Sequence, residues 1–295
     1  MTKSTAWLAV CCLAAGCASG TPSTPAIWKV SDADNSIYLL GSFHALKTED
    51  YPLSAVVLAA YADAERLAFE VAPEELQSPE LPAKMQQAAL LAPGQNLQSL
   101  LTETAWQQLQ VWSRSNPAFP IASLNRMEPW FVAILVVNTQ AKSQGFESGL
   151  GVDQHFMNAA KPAAKPSIGL EKASQQIALF DGMPPKAQQQ LLQEALDANV
   201  SDNTRDLEKL RHLWKTGDVA GLQRETVERM RREYPDLYQS VNADRNRAWL
   251  PQVQAMLDDE ANDDTLVVVG ALHLLGEDGL VQLLRKKGYR VERLK

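Results

Sequence analysis

The sequence is poor in cysteine and histidine, and this shortage limits the chemistry that it can support. The 295 residues include three cysteines, Cys11, Cys12 and Cys17, all within the first twenty positions. A mature chain that began at Cys17 would keep one cysteine, which excludes an internal disulfide and a thiolate metal site. Any metal would then be held by Asp, Glu and the four histidines.

Several motifs of well-known enzyme classes are also missing. There is no Gly-x-Ser-x-Gly, no P-loop, no Gly-x-Gly-x-x-Gly after a strand and no His-Glu-x-x-His. These absences disfavour a serine hydrolase with a nucleophile elbow, a nucleotide-binding protein and a familiar zincin. The net charge of -7 disfavours nucleic acid as a partner. Hydrophobic residues make up 45% of the chain, which predicts a globular protein with a sizeable core.

The first residues predict export and lipid attachment. Lys3 precedes an apolar run over residues 6–15, which is too short to span a membrane and is typical of a signal peptide. The residues directly before Cys17 resemble a bacterial lipobox, so we expect residues 1–16 to be removed and Cys17 to be lipidated. Ala18 then favours the outer membrane, facing the periplasm. A signal peptide cut elsewhere is the alternative. Residues 17–26 are small and Pro-rich, and they predict a tether.

Strand patterns lie near both ends of the chain, and helical patterns fill its middle. We therefore predict an α/β fold over residues 27–295, with a central mixed sheet built from both ends of the chain and flanked by helices. The helical middle, about 74–258, would form a cap and contains one short strand. The expected strands are 27–30, 36–40, 66–71, 166–171, 265–269 and 289–291.

Two Gly-x-x-His segments follow the two most apolar strands. His44 ends Gly41-Ser42-Phe43-His44, and His273 ends the matching Gly270-Ala271-Leu272-His273. Ligands in α/β folds bind beyond the carboxyl ends of strands. A single histidine after a strand is more often structural, but two in matching contexts predict a site. Imidazole is a common ligand for zinc, cobalt or manganese.

Three carboxylates are further candidates: Glu70 for a third ligand or an acid–base group, and Asp153 and Glu171 for supporting the site or contacting the substrate. Glu70 lies inside an apolar strand, where a carboxylate is costly unless it is paired or bound to a cation. A sheet-edge glutamate paired with an arginine is the alternative. Glu171 also ends a short strand, although it could instead cap the next helix. Asp153 follows Gly149 and Gly151 and could instead be a helix N-terminal acid.

Arg245 and Asn246 lie early in a helix that Trp249 predicts to be partly buried. An arginine at this place would suit a substrate carboxylate or an oxyanion. Asn246 is a candidate for supporting the site or contacting the substrate. His155 and His212 lack such contexts, and we expect His212 to be solvated.

Taken in order, these segments resemble the TraB/GumN family, to which the Tiki metalloproteases are related. The segments that carry the resemblance are Tyr38-Leu39-Leu40-Gly41-Ser42-Phe43-His44, Phe69-Glu70, Gly151-Val152-Asp153, Gly169-Leu170-Glu171, Asp244-Arg245-Asn246-Arg247 and Val268-Val269-Gly270-Ala271-Leu272-His273. The resemblance implies a fold akin to erythromycin esterases and ChaN-like haem-binding lipoproteins. It also implies divalent-metal-dependent peptide cleavage through His44, His273 and Glu70.

Three functions remain open on the sequence. The first is a metal-dependent hydrolase of peptides, with a divalent metal (Mn, Co or Zn) held by His44, Glu70 and His273 and with Arg245 at the oxyanion. The second is a metal-independent, esterase-like hydrolase in which His44 is the general base on water. The third is a non-catalytic lipoprotein that binds haem or a metal. The expected partners are a peptide or small ester substrate and, through the lipid anchor alone, a membrane.

Overall fold

The structure is a computed structural model that describes residues 23–32, 34–200, 204–258 and 263–295. The predicted signal peptide and Cys17 lie outside these ranges. Ser23, within the stretch predicted as a tether over residues 17–26, is fully buried. Its backbone N–H donates to the Pro52 carbonyl at 3.1 Å, and its carbonyl accepts from the Ser54 N–H at 2.8 Å. The last residues of the predicted tether therefore belong to the folded domain.

Six strands form one mixed sheet, in the spatial order β4-β3-β5-β2-β1-β6. β4, β3, β5 and β2 are mutually parallel, whereas β1 runs antiparallel to both of its neighbours. The α/β prediction is thus confirmed. The strands are β1 (Ile27–Ser31), β2 (Ser36–Ser42), β3 (Arg66–Val71), β4 (Ser167–Glu171), β5 (Thr265–Gly270) and β6 (Arg290–Leu294).

The two central strands are β2 and β5, and every residue of both is buried. Successive side chains of a strand point to opposite faces, so both faces of the sheet are covered there. A strand that is buried on both faces has apolar side chains at successive positions and does not alternate apolar with polar residues. The apolar runs of β2 and β5 therefore explain their central position. The register pairs Ser42 with Gly270, so the two Gly-x-x-His segments leave adjacent strands at the same edge.

Sixteen α-helices lie in the described part of the chain. Their bounds are α1 (Ala55–Asp63), α2 (Pro73–Leu76), α3 (Leu81–Ala88), α4 (Leu97–Leu100), α5 (Glu103–Ser115), α6 (Ile121–Leu124), α7 (Pro129–Ser143), α8 (Val152–Ala160), α9 (Ala173–Asp181), α10 (Pro185–Val200), α11 (Thr204–Lys215), α12 (Val219–Gln223), α13 (Arg229–Glu233), α14 (Pro235–Tyr238), α15 (Asp244–Leu257) and α16 (Leu280–Lys286).

The helical middle has a hydrophobic core of its own, separate from the core around the sheet. Helices α5, α7 and α10 pack together through Trp106, Leu109, Val132 and Leu192. The main core joins the sheet to residues of α1, α8, α11, α15 and α16. This division agrees with a cap added to the sheet. No helix within the described ranges is long and apolar enough to cross a membrane.

One stretch of π-helix, Gln239–Ala243, leads directly into α15. Such wide turns alter which side chains face inward and often occur at functional sites. Here the turn places Arg245 on the sheet side of α15, where its Nη1 donates to the Val241 carbonyl at 3.2 Å. The irregular turn therefore helps to fix the direction of the Arg245 side chain.

Candidate functional site

Each of the four parallel strands delivers one ionisable side chain to the same edge of the sheet. Glu171 ends β4, Glu70 is the penultimate residue of β3, His273 follows β5 and His44 follows β2. Because these strands are parallel neighbours, their carboxyl ends meet at one edge. The sequence predicted all four as candidates, and the structure brings all four together.

Glu70 is the centre of this group. Its Oε1 accepts the Gly270 backbone N–H at 2.8 Å and lies 3.7 Å from His44 Nε2 and 3.8 Å from His273 Nε2. Its Oε2 accepts from Arg245 Nη2 at 2.5 Å. Burial alone would raise the pKa of Glu70, but the charges of the surrounding cationic groups and the Gly270 hydrogen bond hold that pKa well below its usual range. Glu70 is therefore a carboxylate at neutral pH.

Arg245 has all five of its N–H donors engaged. Nη1 contacts the Val241 carbonyl and His273 Nε2, each at 3.2 Å. Nη2 donates to Glu70 and, at 2.7 Å, to Glu171, whose other oxygen accepts from Nε at 3.2 Å. A guanidinium has five N–H groups, so a substrate oxyanion would have to displace one of these partners. Arg245 therefore has no free N–H group for the oxyanion role expected of it. Its contacts instead hold the carboxylates of Glu70 and Glu171 in place.

Trp249 completes the surroundings of this arginine. The guanidinium lies over the indole ring, 4.6 Å from the ring centroid. The indole Nε1 donates to Glu171 at 3.0 Å, and the ring packs 4.5 Å from the imidazole of His273. Glu171 thus binds Arg245 and Trp249, and these contacts suit the supporting role considered for it.

His273 is buried and held in one tautomer by Asn246. Its Nδ1 lies 2.7 Å from the Asn246 Oδ1, while the amide Nδ2 donates to the Asp278 carbonyl at 2.8 Å and to Asn242. The amide orientation makes Nδ1 the protonated nitrogen and leaves the lone pair on Nε2, facing Arg245 and Glu70. Burial lowers the pKa of His273 to about 3, so the ring stays neutral.

His44 is oriented by Asp153 in the same manner, although 60% of its side chain is exposed. Its Nδ1 lies 3.3 Å from Asp153 Oδ1, and Ser42 Oγ donates to the same oxygen at 2.8 Å. A Cβ on Gly151 would lie 2.4 Å from the His44 carbonyl, so glycine is needed for α8 to bring Asp153 this close. Desolvation opposes protonation of His44, but Asp153 and Glu70 raise its pKa to about 9.

The space between His44 and Glu70 is kept open by Gly270. A Cβ at this position would lie 3.0 Å from His44 Nε2 and 3.1 Å from Glu70 Oε1. In tetrahedral zinc sites with bonds of about 2.0–2.1 Å, ligand atoms lie roughly 3.3 Å apart. Glu70 Oε1 lies 3.7 Å from His44 Nε2 and 3.8 Å from His273 Nε2, so these three atoms are slightly farther apart than the ligand atoms of a tetrahedral zinc site.

The donor chemistry of these residues fits a divalent metal. Both imidazoles can present an Nε2 lone pair, and each is oriented at Nδ1 by an oxygen atom, the usual second layer around metal-binding histidines. Glu70, Asp153 and Glu171 carry three formal negative charges and Arg245 carries one positive charge. With both imidazoles neutral, as metal ligands must be, the net charge would be balanced by a divalent cation. Within the described residues, no three such side chains already form a closed ligand set. Arg245 Nη1 lies 3.2 Å from His273 Nε2, so a metal bound to this nitrogen would have to displace that contact.

A cleft of about 280 Å³ opens beside Glu70. Its polar lining is His44, Glu70, Asp153 and Gln176, and the Gln176 amide donates to Glu70 Oε2 at 3.3 Å. The apolar lining is Phe69, Val71, Leu76, Met157 and Val268. A substrate in this cleft would reach the exposed His44 and Glu70 directly, whereas Arg245 and Glu171 lie behind Glu70 and do not line it.

Apart from Cys17, which was predicted for lipidation, seven residues were predicted for the site, and all of them lie in one contact network. They are His44, Glu70, Asp153, Glu171, Arg245, Asn246 and His273. Sequence reasoning did not assign Ser42, Trp249, Gln176 or the apolar lining to the site. A signal for Trp249 existed, because a tryptophan four residues after a buried arginine lies on the same helix face. His155 lies apart from the site and packs against Tyr51. His212 is exposed, as predicted.

Comparisons with known proteins extend over nearly the whole described chain. The sequence model of the TraB/PrgY/gumN family matches residues 26–293. The uncharacterized protein YbaP of Escherichia coli K12 is 30% identical over 262 residues, which are 88% of this chain and 92% of YbaP. YbaP of Shigella flexneri matches with the same identity and coverage. No solved structure matches this chain.

Proposed function

We propose, from the premise that this chain belongs to the TraB/PrgY/gumN family, that it is a divalent-metal-dependent hydrolase acting on peptides. The observation that carries the proposal is the convergence of three potential ligands beside Gly270. His44 Nε2 and His273 Nε2 lie 3.7 and 3.8 Å from the same oxygen of Glu70, and each ring is oriented from behind by an oxygen acceptor. His44, Glu70 and His273 would hold the metal, with manganese, cobalt and zinc all compatible with this donor set.

Bound there, a divalent metal would supply Lewis-acid polarisation of a scissile carbonyl and a lowered pKa for water. The chain's own residues supply orientation. Asp153 and Asn246 each accept the Nδ1 proton of an imidazole, which keeps both Nε2 atoms directed toward Glu70. The Gly270 N–H and Arg245 hold the Glu70 carboxylate in place and ionised. This fixed arrangement reduces the reorganisation that the reaction requires.

Gly270→Ala tests the proposal without removing any potential ligand. Its new methyl group would enter the space shared by His44 Nε2 and Glu70 Oε1, and the backbone of Gly270, with a φ of -49°, accommodates alanine. We expect the protein comprising residues 18–295, made without a histidine tag, to bind manganese, cobalt or zinc near one equivalent by mass spectrometry. The variant should fold and bind less than about a tenth as much.

Gly149→Ala is the matched control, because a Cβ at Gly149 meets nothing within 4 Å. It should retain the metal and any peptide cleavage. Equal metal content in the Gly270→Ala and Gly149→Ala proteins would overturn the proposed ligand set. Peptide cleavage by the native protein that is unaffected by His44→Ala would overturn the proposed chemistry.

A metal-independent hydrolase is the second candidate, and the Asp153–His44 pair favours it. A carboxylate at Nδ1 and an exposed Nε2 are the arrangement of an oriented acid–base imidazole. Because the pKa of His44 is about 9, the ring would be protonated at neutral pH, and its activity as a base would rise toward pH 9. Cleavage that persists after exhaustive chelation and rises in this way would support this candidate over the first.

We also propose that the protein is a lipoprotein of the bacterial envelope, attached through Cys17. The family match begins at residue 26, the last residue of the predicted tether, which supports a separate role for the residues before it. Mass spectrometry of the native N-terminus should find cleavage before Cys17 and acyl chains on it. Cys17→Ser should release the protein from the membrane fraction, and continued membrane attachment of this variant would contradict the proposal.

A further inference from the structure

The cleft beside Glu70 has an apolar wall that the hydrolytic groups do not use. Leu76, at the end of α2, is 42% exposed, and Met157 lies on α8 one turn after Asp153. Both residues line the same cleft as His44 and Glu70. The floor beneath them is buried and apolar. It consists of Phe69, Val71 and Val268.

Leu76 is one of several large apolar side chains that the structure leaves exposed. It stands between the polar residues Glu75 and Gln77, and Glu75 already serves the fold by accepting the Ala173 N–H at 2.8 Å. Singly exposed apolar side chains are common on protein surfaces, and what distinguishes Leu76 is its place in the lining of the cleft beside His44 and Glu70. The position of Leu76 therefore points to a ligand group that covers it.

The size and charge of the cleft restrict this ligand group. A volume of about 280 Å³ is at the lower end of ligand pockets, and it suits one large side chain with its adjoining backbone. His44 partly offsets the charges of Glu70 and Asp153, but the apolar lining offers an acidic side chain no hydrogen-bond partner, so desolvation disfavours an aspartate or glutamate there. An uncharged apolar side chain satisfies both restrictions.

We propose that Leu76 and Met157 form a specificity subsite for an aliphatic or aromatic side chain of a peptide substrate, at a residue flanking the cleaved bond. The position relative to the cleaved bond rests on the proposed function, whereas the affinity for apolar side chains does not. The wall and floor, Leu76, Met157, Phe69, Val71 and Val268, contact that side chain, and Glu70 and His44 face the neighbouring peptide group.

Binding can be tested without catalysis through the methyl group of Met157. The protein is labelled at its methionine methyl groups, and Met157→Leu, which nearly conserves volume, assigns the signal. We expect N-acetyl-leucinamide and N-acetyl-phenylalaninamide to shift this signal, and the matching aspartic acid derivative to leave it in place. No shift, or the same shift with all three compounds, would overturn the subsite.

Specificity is tested with a peptide library and Leu76→Lys. The metal-loaded native protein should select an apolar residue at one position beside the cleaved bond. Leu76→Lys should lower kcat/KM for those peptides by about tenfold or more and favour acidic residues there. Leu90→Lys is the control, since Leu90 is equally exposed, at 43%, but lies outside the cleft. It should leave the selection unchanged.

The two experiments separate the two proposals. A library that the native protein leaves uncut would overturn the proposed peptidase function, while the Met157 response would still decide the subsite. Cleavage with no apolar preference, or with a preference that Leu76→Lys does not change, would overturn the subsite and leave the peptidase function standing.

Discussion

Replacing Arg245 by methionine should destabilise the protein strongly at neutral pH and far less in acid. Methionine keeps most of the length of the side chain but removes the charge that binds Glu70 and Glu171. Both carboxylates are largely buried, with 15% and 10% of their side chains exposed. The variant would therefore keep two carboxylates close together without the guanidinium that compensates them.

The expected loss follows from the cost of leaving buried charges unpaired. Removing one partner of a buried ion pair costs about 3–5 kcal/mol. For a domain of this size, each kcal/mol lowers Tm by roughly 2–4 °C, so we expect a decrease of roughly 6–20 °C at pH 7. Because the substitution also removes the five hydrogen bonds that Arg245 donates, we expect the decrease in Tm to lie in the upper part of that range.

The pH dependence provides the sharper test. In the native protein the pKa of Glu70 is depressed, so its contribution is present above its unfolded value of 4.5 and is lost as the pH falls below it. Without Arg245, the pKa of this carboxyl should rise, and acid should neutralise the unpaired charge. The difference in Tm between the two proteins should therefore shrink from pH 7 to pH 4.

Thermal unfolding followed by circular dichroism measures both effects. Arg247→Met is the matched control, because Arg247 lies on the same helix, is 48% exposed and pairs with Asp244 and Asp278 at the surface. It should change stability by less than about 1 kcal/mol at any pH. Equal Tm values for the two variants at pH 7, or a difference that grows in acid, would refute the reasoning.

Three further predictions concern the supports of the site. Asn246→Ala should lower the affinity for added zinc about 10- to 100-fold in a chelator competition, because it frees the ring of His273; unchanged affinity would contradict this. Asp50→Asn should lower the free energy of unfolding by about 3–5 kcal/mol, because Asp50 is fully buried against Arg211. Glu49 is an exposed partner of the same arginine, so Glu49→Gln should lower it by less than about 1 kcal/mol. The free energy of unfolding of the native protein should fall as the pH drops from about 6.5 toward 3. The pKa of His273 is about 3 in the folded protein and 6.5 in the unfolded chain, so the folded protein binds fewer protons at this ring in that range. A flat stability profile would argue against a buried neutral ring.

The sheet and the members of the site could be predicted because both depend on local patterns. An apolar run predicts a buried strand, and a charged residue that interrupts the run, such as Glu70, predicts a compensating partner. The matching Gly-x-x-His segments predicted that two histidines would meet at one edge. The strand order places β2 beside β5, and their register brings the two Gly-x-x-His segments next to each other.

The partners within the site could not be predicted, because they depend on packing between distant segments. Nothing in the sequence indicates that Arg245 would be shared by Glu70, Glu171 and His273, since a π-helical turn and three strands together set its direction. The docking of Ser23 is a similar case. A small polar residue in a Pro-rich stretch looks like part of a linker until a buried carbonyl accepts its hydroxyl.

The position of β5 also has a consequence for synthesis of the chain on the ribosome. β5 lies between β2 and β3, although it is made last but one of the six strands. Until it emerges, the β1–β2 pair and the β3–β4 pair have no strand to join them, and each exposes backbone edges. Roughly 90 residues separate β4 from β5, which translation at about 5–20 residues per second covers in roughly 5–20 s. During that interval the sheet cannot be completed, so an agent that holds unfolded chains has its longest opportunity to bind.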